Sequence, residues 1–189
     1  KKLNVPDEVT TIQDHTFSGC RSLTGVTLGK LVTNIGAYAF TGCVKLKTLP
    51  IPDTVITIGG GAFASCQSLE AVTIPEGINH AISVSPTAAE GSTLSPFFGC
   101  SGLRKVTIKI PSVNGSHTDW INDEALKTTG ITAIVFSEGV TAIGGDTFRG
   151  CTTLKSLAFP ESLTAIGSDS FWGCSGLEDL KFPARLSSI

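Results

Sequence analysis

Residues 46–66 read Leu46-Lys-Thr-Leu49-Pro-Ile51-Pro52-Asp-Thr-Val55-Ile-Thr-Ile58-Gly59-Gly-Gly-Ala62-Phe63-Ala-Ser-Cys66, and the stretch returns along the chain. Phe17, Phe40, Phe63, Phe97, Phe148 and Phe171 each open a run Phe-x-x-Cys-x-x-Leu. Together these runs contain all six cysteines: Cys20, Cys43, Cys66, Cys100, Cys151 and Cys174. A catalytic cysteine is needed once, whereas a structural position is needed once per repeat. Phe17, Phe40 and Phe63 are 23 residues apart, as are Phe148 and Phe171.

Other positions keep the same step. An isoleucine stands five residues before the Phe (Ile12, Ile35, Ile58, Ile143, Ile166), and another aliphatic eight before it (Val9, Val32, Val55, Val140, Leu163). Beyond the Leu come inward pairs such as Val26/Leu28, Leu49/Ile51, Val72/Ile74, Val106/Ile108 and Leu157/Phe159. Their period of two predicts a short strand with both members facing a core. The Ile-to-Leu segment does not alternate and reads as a turn or a short helical piece. Strands recurring at a fixed period and stacking on one another make a solenoid. A degenerate seventh copy is read in Ile121-Asn-Asp-Glu-Ala125-Leu126, with Leu126 in the Phe place. The two longer spacings place insertions near residues 79–93 and 112–119, both rich in Ser, Thr, Gly, Pro and Asn. The whole chain, 1–189, thus reads as one repeat domain. With no methionine, and with Ile189 falling on the Ile position of a further copy, it reads as a piece of a longer protein.

Composition narrows the function. The net charge of −2 offers no basic stripe for nucleic acid. No apolar run nears the ~20 residues that span a bilayer. The cysteines read as a ladder of free buried thiols. Equivalent side chains in stacked repeats point the same way, whereas a disulfide needs converging Cβ atoms. A straight ladder cannot surround a metal either. His15, His80 and His117 have no nucleophile at a recognisable spacing. Asp119, Asn122, Asp123 and Glu124 lack an EF-hand pattern and read as a solvated loop. Asn114-Gly-Ser116 is a glycosylation sequon. No catalytic residue, cofactor or metal is therefore expected. The outward strand residues, among them Thr27, Pro50, Thr73, Thr107 and Lys181, form a small, flat, nearly neutral face. Aromatics that break the repeat pattern are the better candidates for partner binding: Trp120, Trp172, Phe98 and Tyr38. Trp172 and Phe98 share a variable position next to the repeat Phe, where exposure is expected.

The pattern LxxLxLPxxLxxIgxxAFxxCxxL closely resembles the BspA-like (Treponema-type) leucine-rich repeat. The departures are Gln13 in place of Gly, Lys109 in place of Pro, the copy around Leu126 and the two insertions. The resemblance implies an α/β-class, right-handed leucine-rich-repeat solenoid, with one short parallel strand per repeat and little helix. It also implies a cell-surface or secreted protein, some relatives being adhesins for host matrix proteins. The expected function is a non-enzymatic protein-interaction module with a protein ligand. The alternatives are a passive spacer presenting another domain, and carbohydrate binding through an exposed Trp.

Overall fold

The structure is a computed structural model that describes residues 1–78, 96–109, 112–113, 129–145 and 147–189. Its strands are short. In chain order they are β1 (Lys2–Asn4), β2 (Thr11–Ile12), β3 (Gly25–Thr27), β4 (Asn34–Ile35), β5 (Thr57–Ile58) and β6 (Ala71–Ile74). Then follow β7 (Lys105–Ile108), β8 (Ser112–Val113), β9 (Ala133–Phe136), β10 (Ala142–Ile143), β11 (Ser156–Ala158) and β12 (Ala165–Ile166). Every pairing among them is parallel, and equivalent residues of successive copies face each other.

The strands form two ladders, where the sequence predicts one. The first holds the inward pairs: β1 beside β3, and β6, β7, β9 and β11 side by side, with Val72 opposite Val106 and Val106 opposite Ile134. Single bridges, Gly25 to Thr48 and Ser156 to Asp179, carry it onward. The second ladder is built on the recurring Ile, with Ile12 opposite Ile35, Ile35 opposite Ile58, and Ile143 opposite Ile166. Each of its strands is two residues long, too short for a period of two to show in sequence. Ser112–Val113, assigned from sequence to the second insertion, is β8 of this ladder: Val113 pairs with Ile143. The Ile121–Leu126 copy lies outside the described residues.

Of the two readings open for the Ile-to-Leu segment, a turn or a short helical piece, the described residues show turns and no helix. Two left-handed residues per copy account for this. Two positions before the Phe, His15, Tyr38, Gly61 and Asp169 have φ of 57°, 54°, 62° and 56°. Just before the Cys, Gly19, Gly42, Gly99, Gly150 and Gly173 have φ between 70° and 75°, and Ser65 takes the same conformation at 59°. A left-handed residue every few positions stops a right-handed helix before it completes a turn. Between them the Phe N–H bonds to the next copy: Phe17 to Ala39 O, Phe40 to Ala62 O, and Phe148 to Ser170 O, at 2.7–2.8 Å.

The core lies between the ladders and the turns. Phe40, Phe63, Phe148, Leu46, Leu69, Leu103, Ile58 and Ile143 are wholly buried. Rings of successive copies stack, Phe17 on Phe40, Phe40 on Phe63 and Phe63 on Phe97, with centroids 5.1–5.6 Å apart. A second column begins at Phe136 and continues through Phe159 and Phe182. Offset stacked pairs of this kind add ~0.5–1.5 kcal/mol each beyond the area they bury. Five of the six cysteines are buried; Cys20, in the first copy, is exposed, correcting the expectation of six buried thiols. No earlier copy in this chain packs over it. The thiols of Cys43, Cys66, Cys100 and Cys174 donate to the carbonyls of Phe17, Phe40, Phe63 and Phe148 of the copy before, at 3.0–3.3 Å. The repeated cysteine is thus a core residue that also satisfies a buried backbone acceptor.

Candidate interaction surface

The thiol column has the wrong chemistry for a nucleophile. Burial raises the Cys43 thiol from 9.0 to about 11 and Cys100 to about 12, and pushes Cys66 up as well. A thiol that stays protonated is inert as nucleophile and as metal ligand. Among the described residues no group of three or more His, Cys, Asp or Glu is placed to hold a metal ion. No helix among them is long and apolar enough to cross a membrane.

The aromatic candidates separate once they are placed. Trp172 is 60% exposed. The Arg149 guanidinium lies over its ring, 4.4 Å from the centroid, and reaches Asp169 at 3.7 Å. Arg149 and Trp172 hold the same position in successive copies, which is why they stack. Phe98, in that position too, is half-buried, and Ala64 is fully buried there, so the position is not uniformly exposed as the sequence suggests. Tyr38 is half-buried, sits at a left-handed residue and stacks on His15 with centroids 5.1 Å apart. The structure brings none of these candidates together into one site. Trp120 lies outside the described residues, as do His80, His117 and the acidic loop.

A further feature stands on the outer face of the first ladder. There a depression of about 660 Å³ spans three copies. Its lining includes Thr48, Pro50, Ala71, Thr73, Lys105, Thr107 and Lys109. These are the outward positions between the buried Leu49/Ile51, Val72/Ile74 and Val106/Ile108. Small side chains leave the hollow. Lys109, which stands where the repeat pattern has Pro, reaches two copies back and bonds Asp53 through both carboxylate oxygens, at 3.0 and 3.2 Å. That departure at Lys109 was the one sequence signal for the site; an outward row of Thr, Pro and Ala carries none.

The sequence matches the BspA type leucine-rich repeat region, in six copies, over residues 1–109 and 119–189. The chain belongs to this family. Among solved structures it is similar to a T. pallidum leucine-rich repeat protein, with TM-score 0.63 and 26% identity, over 94% of this chain and 78% of that one. A leucine-rich repeat protein of Eubacterium ventriosum shares the fold at TM-score 0.57 and 19% identity, over 98% of this chain and 56% of that one. No curated protein matches the sequence. BspA-type repeats are protein-interaction scaffolds, and this chain is a solenoid of that kind.

Proposed function

We propose that this BspA-type solenoid is a non-enzymatic interaction module of a cell-surface or secreted protein, one that adheres to a host matrix protein or mucin through the outer face of its first ladder. The coil is taken as right-handed, the hand that parallel crossover connections adopt. The observation that carries the reading is the depression of about 660 Å³ on a parallel ladder, lined by short side chains with Lys105 and Lys109, the latter paired with Asp53. A hollow on a stiff face is where a partner's side chain can be desolvated without ordering the receptor, and such desolvation makes an interface strong.

The test is saturable binding of the purified chain to immobilised matrix proteins and mucins. Thr73→Tyr, which fills the hollow without adding charge, is expected to abolish it at an unchanged melting temperature. Absence of binding by the folded wild-type chain would leave the spacer reading in its place. Exposed Trp172, with Arg149 against its ring, favours a second reading: a sugar or peptide group stacking at that corner. Loss of binding in Trp172→Ala or Trp120→Ala, with Thr73→Tyr unaffected, would move the site there.

A further inference from the structure

We propose that the depression on the first ladder takes a carboxylate-bearing segment of a protein partner, with Lys105 receiving an Asp or Glu side chain; this rests on the interaction reading above and specifies its chemistry. Lys105 and Thr107 stand on one strand at alternate, outward positions. Ala71 and Thr73 lie beside them on the neighbouring strand, paired Ala71 with Lys105 and Thr73 with Thr107. Lys105, Thr48, Thr73 and Thr107, an ammonium and three hydroxyls among them, therefore line one hollow. Among the described residues no hydrogen bond or ion pair engages any of these four side chains. The neighbouring cations are committed elsewhere. Lys109 is held by Asp53, and Arg104 donates to the carbonyls of Ser101 and Leu103 at 2.6 and 3.2 Å. Lys105 is left as an exposed ammonium flanked by hydroxyl donors, the complement of one carboxylate.

Charge supports the same partner. The described lining of the hollow holds two cations, Lys105 and Lys109, and no carboxylate, on a chain whose net charge is −2. Complementarity of this kind sets which partner is accepted more than how tightly it is held. Among the described residues no aromatic ring lines the hollow to stack on a sugar. A mostly neutral peptide with a single acidic side chain fits both facts.

The experiment uses short immobilised peptides of varied neutral sequence, each made with a central Glu and again with Gln in its place, beside immobilised heparin. Wild-type protein is expected to retain the Glu peptides over their Gln twins by about tenfold, a difference of ~1.4 kcal/mol, and less so as salt is raised. Lys105→Glu and Thr73→Tyr should erase that preference, while Lys155→Glu, on the same ladder but away from the hollow, should keep it. Equal retention of Glu and Gln peptides overturns the proposal, as does a preference that survives Lys105→Glu. Retention on heparin alone, lost in Lys105→Glu, replaces the peptide by a glycan. Matrix capture that persists in Lys105→Glu sinks this inference and leaves the interaction reading standing. Failure of the wild-type chain on the whole matrix panel sinks that reading instead.

Discussion

Ser65 holds a place that five glycines share. Its φ of 59° puts a Cβ where a left-handed backbone disfavours one, at a cost of ~1–2 kcal/mol. Ser65→Gly should therefore raise stability by up to ~1 kcal/mol, the gain being trimmed by glycine's greater freedom when unfolded; denaturant melts measure it. The buried thiols give a second residue-scale expectation. Folding raises Cys43 to about 11 and Cys100 to about 12, from 9.0, because burial disfavours the thiolate. The folded state holds these protons more tightly than the unfolded state does. The resulting stability is complete below pH 9 and is lost as pH rises through 11 to 12. Melting temperature should accordingly fall above pH 9. In the native state a thiol reagent should label exposed Cys20 well before Cys43, Cys66 or Cys100. A flat melting profile from pH 8 to 11, taken with fast labelling of all six, would refute the buried ladder.

At the scale of elements, the glycine after each recurring Ile explains how tightly the copies approach. A Cβ on Gly36 would stand 2.5 Å from the backbone N of Asp14, and one on Gly59 would meet the backbone of Gly36 and Ala37. Gln13 escapes this because no earlier copy in this chain abuts it, which accounts for its departure from the repeat pattern. Gly59→Ala should cost ~1–3 kcal/mol by forcing two turns apart, whereas Gln13→Gly should change stability little; paired urea melts decide this. The elements also show what was legible. The first ladder could be read because Val72/Ile74 and Val106/Ile108 alternate across full strands. The second could not: Asn34–Ile35 and Thr57–Ile58 are two residues long and their pairing is entirely with other copies. Where Ile-Gly-x-x-Ala-Phe breaks alternation the sequence left open a turn or a short helical piece; turns form, without helix. The left-handed residues that forbid it include His15, Tyr38 and Asp169, types that give no glycine-like warning.

Taken as a whole molecule, the chain divides its core between two aromatic columns. One stands in the turns, from Phe17 to Phe97 and again at Phe148 and Phe171, and the other runs from Phe136 to Phe182 behind the first ladder. At Phe136 and Phe148 the columns meet edge to face, 5.9 Å apart. The repeat and its core were legible because every copy restates them. The candidate site was not, since it arises from differences between copies: Lys109 for Pro, Lys105 beside Ala71, Pro50 in the place of Thr73 and Thr107. A sequence pattern averages such differences away. Surface aromatics attract attention in a sequence, yet Tyr38 and Phe98 prove half-buried, and of the described candidates Trp172 alone is exposed, with Arg149 over its ring.

The hydrogen bonds from Phe17 to Ala39, Phe40 to Ala62 and Phe148 to Ser170 all run from one copy to the next, as do both ladders. They therefore lie along the axis of the stack. A tensile load applied at the two ends meets these bonds a copy at a time, not all at once in shear. The molecule should yield by peeling, each copy of 23 residues releasing up to ~80 Å of contour as it comes away. Single-molecule extension would record this as a series of small, regular steps. A single abrupt rupture of the whole array would mean that its copies share the load. For a module anchored at one end and gripping a partner near its middle, such yielding would absorb a pull before the grip itself is stressed.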